Sequence, residues 1–182
     1  MMITSVALIP HPDYPAPGIR ALTVACRGLP DGSLELHYRL AGDLASLCLP
    51  DRAHPVEADR LWAHSCFEVF LARADSRAYR EYNFSPSGQW AGYGFGAYRQ
   101  RREGLELPAP CLDWQAAAGC LELIARLPGA ALAEGAGALQ LGLTSVLELA
   151  DGRLSYWALH HPAPRPDFHH RNGFILTLTT PP

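Results

Sequence analysis

The sequence predicts an all-β protein, an antiparallel β-sandwich of about ten strands with little helix. Leucines alternate with other residues along 34–40 and again along 139–149, as expected for strands that bury one face. Asp151-Gly152 lies between two strand-like runs and is typical of a tight hairpin turn. Helical patterns are weak, because even the alanine-rich run 130–138 contains two glycines.

The candidate strands follow one another along the whole chain. Short β-prone runs come first, and the longer alternating runs follow the turn Pro30-Asp31-Gly32. The predicted strands are 6–9, 21–26, 34–40, 61–71, a segment around 80–83, 89–98, 121–127, 139–149, a run from 154, and 174–179. No Pro-rich stretch between them divides the chain into two segments that could each hold a core. We therefore expect one domain over residues 1–182.

Composition excludes several classes of function. The net charge is −3, so no strong positive field favours nucleic acid or an anionic membrane surface. All 15 basic residues are arginine, so no lysine is available for a Schiff base or a phosphate-binding loop. No stretch approaches the roughly 20 apolar residues of a membrane-spanning helix.

The five cysteines indicate reduced thiols rather than a disulfide framework. Their number is odd, their spacings are wide, and no Cys-x-x-Cys pair occurs. The N-terminal residues lack the basic region of a secretory signal. These observations predict a cytoplasmic protein.

The run 61–71 combines a hydrophobic face with a mixed face. If it is one extended strand, the mixed face carries two rings, an imidazole, a thiol and a carboxylate, namely Trp62, His64, Cys66, Glu68 and Phe70. Glu68 needs a partner, because burial of an unpaired charge is costly. It is either half of a salt bridge, for example with Arg80, or an acceptor for ligand hydroxyls. Cys66 beside His64 is compatible with an activated thiolate, although a small buried hydrophobe is the simpler interpretation.

Three glycines at alternate positions distinguish the run 89–98. Gly92, Gly94 and Gly96 fall on the same face as Trp90 and Tyr98. Glycine weakens a strand, so three in register need a cause. We expect sheet curvature or the packing of a ring against the bare backbone, and close approach of a ligand is the alternative.

A histidine-rich loop near the C-terminus suggests a divalent metal site. Its potential ligands are His160, His161, Asp167, His169 and His170. However, adjacent histidines on extended backbone point apart, and no His-Glu-x-x-His motif occurs. We therefore expect a Pro-braced loop whose imidazoles bond to the backbone or to one another, with the metal site as the alternative.

Two segments resemble the DOMON-like superfamily, which includes the family 9 carbohydrate-binding modules and haem-binding cytochrome domains. The first comprises CFEVFL at 66–71 and YREYNFSPSG at 79–88. The second, SYWALHHPAPRPDFHH at 155–170, is similar to bacterial proteins described only as DOMON-like. The resemblance covers the chain from about residue 61 to its end.

The resemblance implies a sandwich that holds a ligand on one sheet without catalysis. In the sugar-binding branch, tryptophans stack on a sugar while carboxylate, amide and arginine groups bind its hydroxyls. This implies roles for Trp62 and Glu68 on one strand, for Arg80 and Asn83 on the next, and for Trp157 as a second ring. The haem branch uses methionine and histidine as axial ligands.

Methionine occurs in this chain only as Met1 and Met2, so haem would require two histidines, for example His64 and His160. We predict instead a non-catalytic protein without a cofactor that binds a small sugar or sugar derivative on an aromatic-lined sheet face. The predicted ligand-binding residues are Trp62, His64, Glu68, Arg80, Asn83, Trp157, His160 and His169. The alternatives are a haem- or metal-binding redox module, a metal-assisted hydrolase, and a surface for a protein partner or for a second copy in a homodimer.

Overall fold

The computed structural model describes residues 3–135 and 137–178, and these residues form an antiparallel all-β fold, as predicted. Within them, helix is limited to four 3-10 helices of three residues, and no helix is long and apolar enough to cross a membrane. The strands are β1 (Thr4–Pro10), β2 (Ile19–Gly28), β3 (Leu34–Gly42), β4 (Cys66–Arg73), β5 (Tyr79–Phe84), β6 (Trp90–Ala97), β7 (Gln100–Arg101), β8 (Cys111–Ala117), β9 (Cys120–Leu127), β10 (Leu139–Glu148), β11 (Leu154–Ala158) and β12 (Leu176–Leu178).

The strands are arranged in two sheets that share β1. The first sheet has the order β1-β2-β3-β9-β8, and the second has the order β7-β6-β5-β4-β10-β11. Residues 4–8 of β1 pair with β2, whereas Ile9 and Pro10 pair with β11. β12 pairs with the start of β10. β1 therefore passes from one sheet to the other, as strands do at the corner of a sandwich.

The main hydrophobic core contains side chains from both sheets. The alternating leucines of β3 and β9 meet those of β10 and the inward side chains Phe67, Val69 and Leu71 of β4 there. Each fully buried leucine stabilises the fold by about 1.5–3 kcal/mol. Tyr38 of β3 crosses this core: its hydroxyl donates a hydrogen bond to the carbonyl of Glu68 at 2.8 Å. Its ring packs against Phe67, with centroids 5.1 Å apart. Tyr38 therefore ties the first sheet to the centre of the second.

The outer face of the second sheet, which points away from this core, is largely buried as well. A second apolar cluster there includes Phe70, Tyr79, Phe95 and Phe174. Tyr79 and Phe95 stack with their centroids 4.7 Å apart. The C-terminal loop (residues 159–175) contributes Phe174, which approaches the backbone at Gly142. Two buried faces explain why β4 and β5 are buried along almost their whole length.

The predicted strand at 61–71 is shorter than expected. β4 begins at Cys66, and Leu61–Ala63 forms a 3-10 helix that follows Arg60 in the left-handed conformation, with a φ of 61°. Trp62 and His64 are therefore not on the same strand as Glu68. Sequence alternation missed this because a turn with suitable spacing imitates a strand.

The glycine-rich face of β6 has a packing explanation. A Cβ at Gly92 would lie 3.2 Å from the side chain of Leu107 and 3.4 Å from the Trp90 ring, and one at Gly94 would collide with Leu105. The expected packing against bare backbone is thus made by two leucines as well as by a ring. The segment that carries Leu105 and Leu107 can lie close to the sheet only because β6 has no side chains there.

Candidate functional site

A cleft of about 490 Å³ opens on the outer face of the second sheet. It is bordered by the 3-10 helix at 61–63 and by the C-terminal loop, and strands β4, β5, β6, β10 and β11 contribute its floor and walls. The walls are aromatic and are formed by Phe70, Tyr93, Phe95, Tyr156 and Phe168. Acidic, basic and histidine side chains also line the cleft, and a concave site that combines aromatic walls with converging polar groups is typical of small-molecule binding.

Glu68 lies at the floor of the cleft and is only 2% exposed. β4 places it there because the residues on either side, Phe67 and Val69, point into the main core. Its Oε2 accepts a hydrogen bond from Thr144 Oγ1 at 2.8 Å, and its Oε1 accepts one from Cys66 Sγ at 3.2 Å. Burial raises the pKa of Glu68 from 4.5 to about 7, although the two hydrogen bonds oppose this rise.

Glu81 is a second buried carboxyl in the same cleft, with 5% exposure. Glu68 lies opposite Asn83 in the β4–β5 register, so Glu81 is its diagonal neighbour on the same face. Its Oε1 accepts a hydrogen bond from Asn83 Nδ2 at 2.9 Å. Burial, and then the charge of Glu68, raise the pKa of Glu81 to about 8. At neutral pH the floor therefore offers carboxyl groups that can both donate and accept hydrogen bonds.

His169 is held beside this pair by a short chain of hydrogen bonds. The Tyr79 hydroxyl accepts from the backbone N–H of Arg99 at 3.0 Å, which leaves its own proton for His169 Nδ1 at 2.8 Å. The His169 proton is then on Nε2, which lies 3.8 Å from Glu81 Oε2. Burial lowers the pKa of His169 to about 4, so the ring is neutral at physiological pH.

The mouth of the cleft carries charged and amphipathic side chains. Trp62 is 48% exposed there, and Arg60, Arg99 and Arg101 are exposed beside it. The hydroxyl of Tyr93 donates to Asp59 Oδ1, which joins the aromatic wall to the rim. The floor thus carries the carboxyl groups of Glu68 and Glu81, and the opening carries three guanidinium groups together with the carboxylate of Asp59.

Three of the predicted ligand-binding residues line this cleft, and a fourth supports it. Trp62, Glu68 and His169 contribute to its surface. Asn83 is fully buried behind Glu81, and its Oδ1 has no hydrogen-bond partner within the described residues. An unpartnered buried acceptor is uncommon and is costly in free energy unless a water or a ligand satisfies it.

The prediction that Trp157 and Arg80 join the same site is wrong, because both point to the other face of the second sheet. Trp157 is 4% exposed in the main core, where its Nε1 donates to Ser155 Oγ at 3.1 Å. Arg80 donates to the carbonyls of Ala130 and Leu132 at 2.6 and 2.7 Å, and so holds the loop before β10. The salt bridge suggested between Glu68 and Arg80 does not form for the same reason.

His64 and His160 also lie outside the cleft, contrary to prediction. The His64 side chain is 70% exposed, and its Nδ1 lies 2.7 Å from Glu148 Oε2. His160 is exposed on the C-terminal loop and does not line the cleft. Because one candidate axial ligand is engaged by a carboxylate and both side chains are outside the buried site, these residues do not fit a haem. The suggested pairing of Cys66 with His64 is also absent, since the Cys66 thiol bonds to Glu68.

The histidine-rich loop is held by separate contacts rather than by a common centre. Asp167 accepts hydrogen bonds from Tyr98 and from Arg99, and His161 Nε2 lies 3.0 Å from the carbonyl of Ile9. His170 Nδ1 accepts from the backbone N–H of Asn172. Within residues 3–135 and 137–178, no three side chains of His, Cys, Asp or Glu are grouped so that they could hold a metal ion.

Sequence reasoning missed several residues of the cleft. Glu81 could have been found, because strand alternation from Asn83 places Glu81 and Tyr79 on one face and Arg80 on the other. Phe168 and the three arginines of the rim carry no such pattern. Phe168, Arg60 and Arg99 reach the cleft from turns and loops, and Arg101 reaches it from the two-residue strand β7, so their positions depend on tertiary contacts.

Comparison with known proteins supports the fold. Neither the family models nor the curated proteins that were searched gave a match. A solved structure from Bacteroides uniformis ATCC 8492, described as a "putative carbohydrate-binding protein", is similar to this chain with a TM-score of 0.72 and 18% identity. The match covers 94% of this chain and 84% of that one. At this level of identity the similarity shows a shared fold.

Proposed function

We propose that this protein binds a small saccharide in the cleft and performs no chemistry on it. The observation that carries the proposal is the combination of aromatic walls with a polar floor in one cleft. Phe70, Tyr93 and Phe95 contribute aromatic walls, and Glu68 and Glu81 contribute carboxyl groups at the floor. Aromatic rings pack against the apolar faces of a sugar, and carboxyl oxygens bind its hydroxyls.

The hydrogen-bond donors and acceptors at the floor of the cleft favour a ligand rich in hydroxyl groups. Glu81 lines the cleft, and its Oε2 has no hydrogen-bond partner within the described residues. His169 Nε2 supplies a neutral donor on the same side. A hydroxyl group both donates and accepts, so one sugar can satisfy such a mixed set of groups.

Two further observations support a saccharide. The structure from Bacteroides uniformis that shares the fold has a name that refers to carbohydrate binding. The segments 66–71 and 79–88, which resemble the DOMON-like superfamily, form β4 and β5 and supply both carboxyl groups of the floor. We propose on this basis that the chain is a DOMON-like sandwich over residues 1–182.

Calorimetric titration of the full chain with a panel of mono- and disaccharides tests the proposal. We expect saturable binding that the Glu68→Gln variant weakens, because the amide replaces an acceptor oxygen with a donor. Glu106→Gln is a matched control, since Glu106 is exposed and lies outside the cleft. Absence of binding by every saccharide of the panel would remove the proposal.

A second candidate function is favoured by the carboxyl pair itself. Glu68 and Glu81 share one cleft, and their pKa values are raised to about 7 and about 8. A carboxylic acid that keeps its proton near neutral pH can serve as a general acid in glycoside hydrolysis. Incubation with aryl glycosides separates the two functions: release of the aryl group that Glu81→Gln abolishes would make the protein a hydrolase.

We also propose that the protein is located in the cytoplasm. Cys26, Cys48, Cys66, Cys111 and Cys120 all carry free thiols, which suits a reducing compartment. Fractionation of the source cells would check the location. Light scattering would show whether two copies associate, and we expect a monomer because the saccharide cleft accounts for the exposed Trp62.

A further inference from the structure

We infer that the saccharide bound in the cleft carries an anionic group, a carboxylate or a phosphate, which the rim arginines bind while the hydroxyls face the buried floor. This inference rests on the proposed saccharide function. It concerns the opening of the cleft, where Arg60, Arg99 and Arg101 lie beside the aromatic walls.

Two of the three guanidinium groups are free to bind a ligand. Arg99 is already engaged, since its Nη2 lies 2.9 Å from Asp167 Oδ1. Within the described residues, Arg60 and Arg101 form no ion pair within 4 Å, and neither side chain donates a hydrogen bond. Asp59, an acidic residue of the rim, accepts a hydrogen bond from the Tyr93 hydroxyl and forms no ion pair within 4 Å with either arginine in the described part of the chain.

Both free guanidinium groups are positioned over rings of the cleft. The Arg101 Cζ atom lies 4.4 Å from the centroid of the Tyr93 ring, and the Arg60 Cζ atom lies 5.8 Å from that of Trp62. Contact with a ring face orients a guanidinium group without using its N–H donors. Those planar donors match the two oxygens of a carboxylate or a phosphate.

Backbone conformation supports the same assignment. Arg60 and Arg99 have φ angles of 61° and 54°, and they are the non-glycine residues with positive φ in the described chain. The left-handed region costs an ordinary residue about 1–2 kcal/mol, and glycine would adopt it without that cost. Of the two, Arg60 has the guanidinium group that is not already engaged, so its strained position supports a role for this side chain at the mouth of the cleft.

The depth of the charges determines how the ligand would be oriented. The carboxyl groups of Glu68 and Glu81 are 2% and 5% exposed, whereas the arginines of the rim are exposed. A ligand carboxylate at the floor would meet two acidic side chains, and the same group at the mouth would meet three guanidinium groups against the single carboxylate of Asp59. An acidic sugar therefore enters with its hydroxyls first and leaves its anionic group at the rim.

Titration calorimetry with matched sugars tests this at low ionic strength. The probes are glucose, glucuronate and glucose 6-phosphate, together with galactose and galacturonate. In the glucose set or the galactose set, we expect an acidic sugar to bind about tenfold tighter than the neutral sugar. A hydrogen bond to a charged group contributes about 1.5–3 kcal/mol, and about 1.4 kcal/mol corresponds to a tenfold change in affinity. Glucuronate and glucose 6-phosphate distinguish a carboxylate from a phosphate ligand.

Arginine variants test whether the preference for an acidic sugar arises at the mouth of the cleft. Arg101→Gln and Arg60→Gln should each weaken binding of the acidic sugar several-fold more than binding of its neutral parent. Arg77→Gln removes the same charge from an exposed position outside the cleft and should change neither. Equal binding of neutral and acidic sugars, or a preference that survives in both cleft variants, would overturn the inference and leave the saccharide function intact. Failure of every sugar to bind would overturn both.

Discussion

Glu68 and Trp157 lie on opposite faces of the second sheet. Thr144 of β10 pairs with Glu68 on one side, and its neighbour Ser145 pairs with Trp157 on the other. Adjacent residues of a strand point to opposite faces, so the carboxyl group faces the cleft while the indole faces the main core. Trp157 therefore belongs to the main core, whereas Glu68 belongs to the cleft.

Trp62 and Trp157 should respond to substitution in opposite ways. Trp157→Ala leaves a cavity in the main core and should lower the free energy of unfolding by about 3–5 kcal/mol. Trp62→Ala removes an exposed ring and should change it by less than about 1 kcal/mol, while saccharide affinity falls by about 0.5–1.5 kcal/mol. Urea denaturation and calorimetry measure the two quantities. Equal stability of the two variants would contradict the placement of the indoles.

Stability should fall as pH rises, because Glu81 keeps its proton in the folded protein. Its pKa is 4.5 in an ordinary environment and about 8 in the cleft. Between these values the unfolded chain releases a proton that the folded chain retains, so its contribution to stability is complete below about pH 4.5 and is lost as pH rises through about 8. Each unit of difference corresponds to about 1.4 kcal/mol, which sets an upper limit on the effect.

Urea denaturation of the wild-type and Glu81→Gln proteins from pH 5 to pH 9 measures this dependence. The variant has no carboxyl group at this position and should lose less stability over the range. Glu106→Gln, which alters an exposed carboxylate outside the cleft, should behave like the wild type. Parallel curves for Glu81→Gln and wild type would show that Glu81 is ionised in the folded state.

The packing of Phe174, and with it the C-terminal loop, should require that residue 142 is a glycine. An alanine Cβ would lie 2.7 Å from the Phe174 ring, so Gly142→Ala should displace the ring and lower stability by about 1–3 kcal/mol. Hydrogen exchange should increase in residues 168–178. Gly28→Ala is the matched control, because nothing lies within 4 Å of its Cβ. Unchanged exchange in the Gly142→Ala protein would rule out this packing.

Thiol labelling of the native protein should divide the cysteines by burial. Cys48 and Cys111 are exposed and should react with a disulfide reagent at pH 8. Cys26 and Cys66 are buried, and burial raises the pKa of Cys26 to about 12 and that of Cys66 well above its usual value. These two should react only on unfolding, since the thiolate is the nucleophile. Fast labelling of Cys66 would instead support an activated thiolate.

Strand alternation identified the fold from the sequence, but it assigned only part of the site. Glu68 was predicted to face a ligand because of its aromatic surroundings, and it does line the cleft. Arg80 was grouped with it because the resemblance to sugar-binding modules implied a role on the next strand, and because it was a possible salt-bridge partner. The register places Asn83 opposite Glu68, which turns Glu81 toward the cleft and Arg80 away from it. An error of one residue exchanges the two faces of a strand.

Local patterns in the sequence were sufficient to predict the antiparallel all-β fold, because a period of two in hydrophobicity is a local property of the chain. Tertiary structure alone decided which polar groups meet. Glu68 and His169 are separated by about a hundred residues, and they share a cleft only because the C-terminal loop folds back over β4 and β5. Such contacts depend on loop paths and on which face of a sheet is covered, and neither is encoded in local spacing.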